Sequence, residues 1–152
     1  MMSTVLNAPL DGVHALARLV AFYENLSLES LAQLGAVYAP DASFKDPFNE
    51  VQGHAAILAI FEHMFVQVDR PRFVVLERME QHGQAFLTWE FRFYMRRFVS
   101  GEQCVRGATH VRFDPQGRVV LHRDYWDVAE ELYQKLPLLG GLMRLLRRAS
   151  QR

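Results

Sequence analysis

The segment His122-Arg123-Asp124-Tyr125-Trp126-Asp127 carries the residues of this chain best suited to chemistry. Side chains alternate along a strand, so an extended reading puts His122, Asp124 and Trp126 on one face and Arg123 and Tyr125 on the other. An imidazole beside a carboxylate is an acid–base pair: the ring titrates near neutrality, and the carboxylate can orient it. Burying two such groups is costly unless they are paired or used. The pattern predicts that His122 and Asp124 point into an apolar interior and Arg123 points away. A slip of one residue in register would reverse this. Asp46, in Phe44-Lys45-Asp46-Pro47, is a second candidate carboxylate. It reads either as a general base or as a turn residue holding backbone amides before Pro47. Asp124 reads as a base or as an ion-pair partner, and His122 as a proton shuttle or a satisfied structural group.

The elements around these residues follow from patterning. Asp11 caps a helix with Val13, Leu16, Ala17, Val20 and Tyr23 on its apolar face. Ser27 caps a second, with Leu28, Leu31, Leu34 and Tyr38 on one side and Pro40 as its stop. Residues 42–47 are extended. Gly53 opens a third helix with Ile57, Ile60, Phe61, Met64 and Phe65 inward. After Asp69 the period changes to two, giving strands over residues 72–80, 84–99, 103–114 and 118–126, joined by hairpin turns at Gln81-His82-Gly83, Ser100-Gly101 and Asp114-Pro115-Gln116-Gly117. Asp127 with Glu130 has the spacing of a helix cap and its capping-box partner, and the last helix runs to about Lys135. Residues 137–152 form a basic amphipathic tail.

Helices followed by an antiparallel meander imply an α+β domain, its helices covering one face of a curved sheet. In the 84–99 strand, Leu87, Trp89, Phe91, Phe93 and Met95 should face the helices. In the next, Val105, Gly107, Thr109, Val111 and Phe113 should do so. The outer face then carries Glu90, Arg92, His110, Arg112 and Arg123 and reads as a solvated or subunit-facing surface with cross-strand charge pairs.

With 152 residues, half of them hydrophobic, the chain reads as one domain with a real core. Lys+Arg and Asp+Glu are 17 each, and this zero balance argues against a nucleic-acid binder. The single Cys104 excludes an internal disulfide. A cytoplasmic protein is expected, with no signal peptide, no spanning segment and no membrane association. His54, His63, His82 and His110 are scattered without ligand spacing, so neither a metal site nor a cofactor is expected. No Gly-rich phosphate loop and no nucleophilic triad is readable.

The order helix-helix-strand, with Tyr38-Ala39-Pro40-Asp41-Ala42-Ser43-Phe44-Lys45-Asp46-Pro47, a Gly53-led helix, and four strands ending in Arg123-Asp124-Tyr125-Trp126-Asp127, resembles the nuclear transport factor 2-like superfamily. That superfamily includes ketosteroid isomerases, SnoaL-like polyketide cyclases and limonene-epoxide hydrolases. The resemblance implies a cone-shaped α+β barrel with an internal pocket, often a homodimer. By likeness to the isomerases, Asp46 sits at the general-base position. The isomerase tyrosine position reads Phe22, with Tyr23 beside it, and the protonated aspartic acid position reads Thr109, so the isomerase donors are not reproduced. By likeness to the epoxide hydrolases, Asp124 matches one catalytic aspartate. The hydrolase arginine and second aspartate positions read Trp89 and Phe91, so that triad is not reproduced either. By likeness to the cyclases, an inward acid–base residue in an aromatic cavity drives ring closure, a role open to Asp46 or to Asp124 with His122.

The resulting expectation is a cofactor-independent isomerase, cyclase or hydrolase using Asp46, His122 and Asp124 on a small hydrophobic molecule. The candidate pocket lining is Phe22, Tyr23, Phe44, Phe61, Trp89, Phe91, Phe93, Thr109, Val111 and Trp126. The competing expectation is a noncatalytic ligand-binding, dimerisation or scaffold domain.

Overall fold

A computed structural model describes residues 11–132 and Arg148. Helix α1 spans Gly12–Glu24 and is capped as expected: the Asp11 carboxylate accepts from the His14 amide at 2.8 Å. Its buried stripe is Ala15, Leu16, Leu19, Val20, Phe22 and Tyr23. Val13 and Ala17 lie outside it, exposed, because the helix turns its 15/19/22/23 edge toward the sheet. The second helix is shorter than its apolar spacing implies. A 3-10 turn at Ser30–Gln33 leads into α2, Leu34–Val37, and the chain becomes extended at Tyr38. Ser27 and Ser30 exchange hydrogen bonds at the start of this segment, each hydroxyl accepting from the other's amide.

Strand β1 then runs Tyr38–Lys45 and β2 Glu50–Gln52. Pro40 therefore sits inside a strand and does not act as a helix stop. It falls where the β1 register breaks between Tyr38 and Ser43, a position that tolerates a missing amide donor. Gly53, at φ 93°, makes the left-handed turn into α3, His54–Gln67, which buries Ile57 and Phe61. The meander follows as β3 Val68–Gln81, β4 Gln84–Met95, β5 Glu102–Phe113 and β6 Val119–Tyr125. The short α4, Val128–Glu131, is capped by Asp127, whose carboxylate accepts from the Glu130 amide. The expected continuation to Lys135 and the tail at 137–152 lie outside the described residues, Arg148 apart.

The six strands form one sheet in the order β2-β1-β6-β5-β4-β3. It is antiparallel throughout except for β1, which lies parallel to β6. That pairing was not legible locally, since it joins strands about 80 residues apart. It sets Phe44 beside His122 and Lys45 beside Arg123. The core lies between the sheet's concave face and α1 and α3, built from Leu16, Leu19, Phe22, Tyr38, Phe44, Ile57, Phe61, Trp89 and Val111 among others. On the outer face Glu90, Arg92 and Glu102 form a chain of ion pairs, with Arg106 and Arg72 at its ends.

Candidate active site

Strand β6 turns His122 and Asp124 inward and leaves Arg123 exposed, over the Tyr125 ring at 4.7 Å. The cross-strand partners are Val111 for His122 and Thr109 for Asp124, both on the concave face of β5. His122 is 2% exposed and the Asp124 side chain 18%. The imidazole is stacked on Phe44 at 4.6 Å, as the β1–β6 register requires.

These groups form one continuous hydrogen-bonded chain. Trp89 Nε1 donates to Thr109 Oγ1 at 2.7 Å, and Thr109 donates onward to Asp124 Oδ1 at 2.5 Å. His122 Nε2 meets the same oxygen at 2.7 Å. On the other side of the ring, Nδ1 lies 2.9 Å from the Tyr38 hydroxyl, which lies 2.6 Å from the Tyr23 hydroxyl. Tyr23 is itself 3.4 Å from Nδ1. Both phenols are held un-ionised: burial, with the neighbouring Tyr38 and the Asp124 charge, pushes Tyr23 well above the usual phenol range, and burial drives Tyr38 up as well. Asp124 Oδ2 receives no hydrogen bond from the described residues.

Asp124 is shared by two spaces. Inside is a cavity of about 20 Å³, lined by Tyr23, Trp89, Thr109, His122 and Asp124 together with Leu19, Phe73, Val75 and Leu87. That is room for about one water-sized group. Outside is an open cleft of about 540 Å³, bounded by Lys45, Asp46, Pro47, Arg123, Asp124, Tyr125, Trp126 and Asp127. Asp46 and Asp124 thus meet in the cleft, while Asp124 and His122 meet at the cavity. Asp46 is engaged locally: its Oδ1 accepts from the amides of Phe48 and Asn49, each at 2.7 Å, and the Asn49 side chain reaches both carboxylate oxygens. Among the other expected lining residues, Trp126 borders the cleft and packs against Phe48. Phe22, Phe44, Phe61, Phe93 and Val111 lie in the core, and Phe91 is stacked between Phe73 and Phe93 against it.

Tyr38 is the member of this hydrogen-bonded chain that patterning missed. Its spacing with Leu31 and Leu34 reads as helix, and it lies instead at the first position of β1. The available signal was chemical, since a tyrosine buried among leucines must find a partner for its hydroxyl. Leu19, Phe73, Val75 and Leu87 complete the cavity from α1, β3 and β4.

A family model described as a SnoaL-like domain matches residues 19–122. The chain belongs to that family. No curated protein matches it. Among solved structures it is similar to a protein from Catenulispora acidiphila with a ketosteroid isomerase-like fold, in complex with trimethylamine, at TM-score 0.68 and 14% identity over 81% of this chain and 93% of that one. It is similar to an NTF2-like protein of unknown function from Burkholderia pseudomallei, at TM-score 0.69 and 17% identity over 83% and 97%. It is also similar to an epoxide hydrolase of M. tuberculosis, at TM-score 0.65 and 17% identity over 90% and 96%. At these identities the likeness establishes the cone fold of the SnoaL-like domain and not its chemistry. Among the described residues of this SnoaL-like chain no cluster of three or more potential metal ligands occurs, and no helix is long and apolar enough to cross a membrane.

Proposed function

We propose that this SnoaL-like protein is a cofactor-independent acid–base enzyme acting on a small hydrophobic carbonyl compound, with Asp124 as its base. The observation that carries the reading is the arrangement around Asp124. One oxygen is pinned by Thr109 and His122, the other accepts no hydrogen bond from the described residues, and the residue lines both the cavity and the cleft. A base must be held in place and still have a lone pair to spare. In the proposed step Oδ2 takes a proton from the carbon next to a carbonyl. The C–H electron pair moves to the carbonyl oxygen as an enolate. With an enolate conjugated to a C=C, return of that proton to the far carbon shifts the double bond and gives isomerisation. Attack of the enolate carbon on an internal carbonyl forms a C–C bond and an alkoxide, which takes the proton back from Asp124 and gives ring closure. Asp46 shapes the cleft wall in this reading, because its oxygens already serve the turn.

A noncatalytic reading is favoured by one observation, the small size of the cavity. The two are separated by following solvent deuterium into a panel of cyclic and aromatic ketones by mass spectrometry. The wild-type protein is expected to speed exchange at the carbon next to the carbonyl, and Asp124→Asn to lower that rate roughly 10²- to 10⁴-fold. Equal rates in wild type and a folded Asp124→Asn variant overturn the assignment.

Pairing with a second copy is supported by the outer sheet face. There Met79 and Phe86, opposite each other on β3 and β4, are 72% and 48% exposed. Phe86 stacks on His110, whose cross-strand partner is Arg123. Light scattering on wild type and Phe86→Glu tests this, a monomeric wild type being the adverse result.

A further inference from the structure

For an ionised Asp124 and a neutral His122, counting donors assigns a direction to each bond in the buried chain. The Trp89 indole only donates, so Thr109 Oγ1 accepts from it and gives its single proton to Asp124. With Asp124 ionised, Oδ1 is an acceptor and His122 Nε2 must be the donor. A neutral imidazole then has a lone pair on Nδ1, which accepts from the Tyr38 hydroxyl at 2.9 Å. The Tyr38 oxygen in turn accepts from the Tyr23 hydroxyl at 2.6 Å. Both arms therefore point at Asp124, and Tyr23 offers the cavity only lone pairs. When His122 is protonated, Nδ1 becomes a donor. Tyr38 accepts from it and turns its own proton to the Tyr23 oxygen. The Tyr23 hydroxyl keeps its proton but no longer donates it to Tyr38, and Tyr23 lines the cavity.

We propose that Tyr23 is the hydrogen-bond donor to the substrate's carbonyl oxygen, and that Tyr38 is a positioning residue making this donation conditional on the charge of His122. The roughly water-sized cavity suits one carbonyl oxygen, with the rest of the molecule in the cleft. The competent state is then the imidazolium–carboxylate pair, in which Asp124 can still take a proton and Tyr23 can stabilise the enolate. This inference rests on the proposed role of Asp124 as base. The titratable groups facing His122 are Tyr23 from α1, Tyr38 from β1 and Asp124 from its own strand. Asp46, at the end of β1, acts on Tyr23 from further away. From β5 the neighbour is the neutral Thr109, and the ring's face is covered by Phe44.

The test needs no ligand. In the full chain with ¹⁵N-labelled histidine and ¹³Cζ-labelled tyrosine, NMR at high pH is expected to find neutral His122 protonated on Nε2. The Tyr23 ¹³Cζ signal is expected to move with the same midpoint as the His122 titration. In Tyr38→Phe that coupling shrinks, because the direct Tyr23–Nδ1 approach is 3.4 Å. A neutral imidazole protonated on Nδ1, or a Tyr23 signal that ignores His122, overturns the proposal. Coupling undiminished in Tyr38→Phe removes Tyr38 from it. If that variant does not fold, the wild-type tautomer and the Tyr23 signal still decide. Ketone exchange should fall roughly 3- to 10-fold as pH rises through the His122 midpoint, and this alkaline fall should vanish in Tyr23→Phe. Absence of exchange at every pH would refute the catalytic reading while leaving the NMR result to judge the relay.

Discussion

The indole of Trp89 occupies the space that a side chain at Gly107 would fill. The two residues are cross-strand partners on β4 and β5, and a Cβ built on Gly107 would lie 2.5 Å from the Trp89 ring. The glycine lets the ring lie flat across β5 and bring Nε1 within 2.7 Å of Thr109.

Gly107→Ala should therefore act on the site as well as on the fold. Overpacking against a buried ring costs roughly 1–3 kcal/mol. Chemical denaturation should report that loss, and any catalysed ketone exchange should drop with it. An unchanged midpoint would mean the ring shifts freely.

Thr109→Val removes the hydroxyl while keeping the shape. It leaves the Trp89 Nε1 donor buried without its acceptor and takes one donor from Asp124. A loss of about 1–3 kcal/mol is expected, largely restored by Thr109→Ser. Equilibrium unfolding of the two variants checks this; equal losses in both would show that the methyl group, not the hydroxyl, matters.

Asp46 gives a contrast. Its contacts are two backbone amides and the Asn49 side chain, and an asparagine oxygen can still accept from those amides. Asp46→Asn should stay within about 0.5 kcal/mol of wild type and keep any exchange activity, whereas Asp46→Ala should lose about 1 kcal/mol. A loss of exchange in a stable Asp46→Asn protein would return this carboxylate to the catalytic role the isomerase resemblance implies.

Alkaline pH should expose the buried phenols. Tyr23 and Tyr38 have raised pKa values in the folded chain, so the unfolded chain releases their protons first as pH climbs past about 10. Their contribution to stability is complete below that pH and is lost above it. Of the five tyrosines, these two should ionise only with unfolding, read as a cooperative step in absorbance at 295 nm that coincides with loss of circular dichroism.

Acid should weaken the outer sheet face through His110. Desolvation, with the Arg112 charge beside it, lowers its pKa in the folded chain. The unfolded chain therefore takes up a proton first as pH falls below about 6.5, and stability declines from there down through the lower folded value. His110→Gln should flatten the difference in melting temperature between pH 7.5 and pH 5.5.

Local rules were enough for much of this protein. Asp11 and Asp127 cap helices because a short carboxylate satisfies amides three residues on, whatever lies elsewhere in the chain. The alternation in β4 and β5 identified the concave face, and grouping Arg123 with the other charges placed His122 and Asp124 inside. Two features depended on distant residues. Tyr38 left its helical pattern because pairing with Val119, far along the chain, satisfies an extended backbone there. The relay through Trp89, Thr109, Asp124, His122, Tyr38 and Tyr23 draws on α1 and four strands, and each hydroxyl's role is set by the donor or acceptor it meets. Periodicity tells which way a side chain points. Only packing in three dimensions decides what it meets there, and so which oxygen of Asp124 is held by Thr109 and His122.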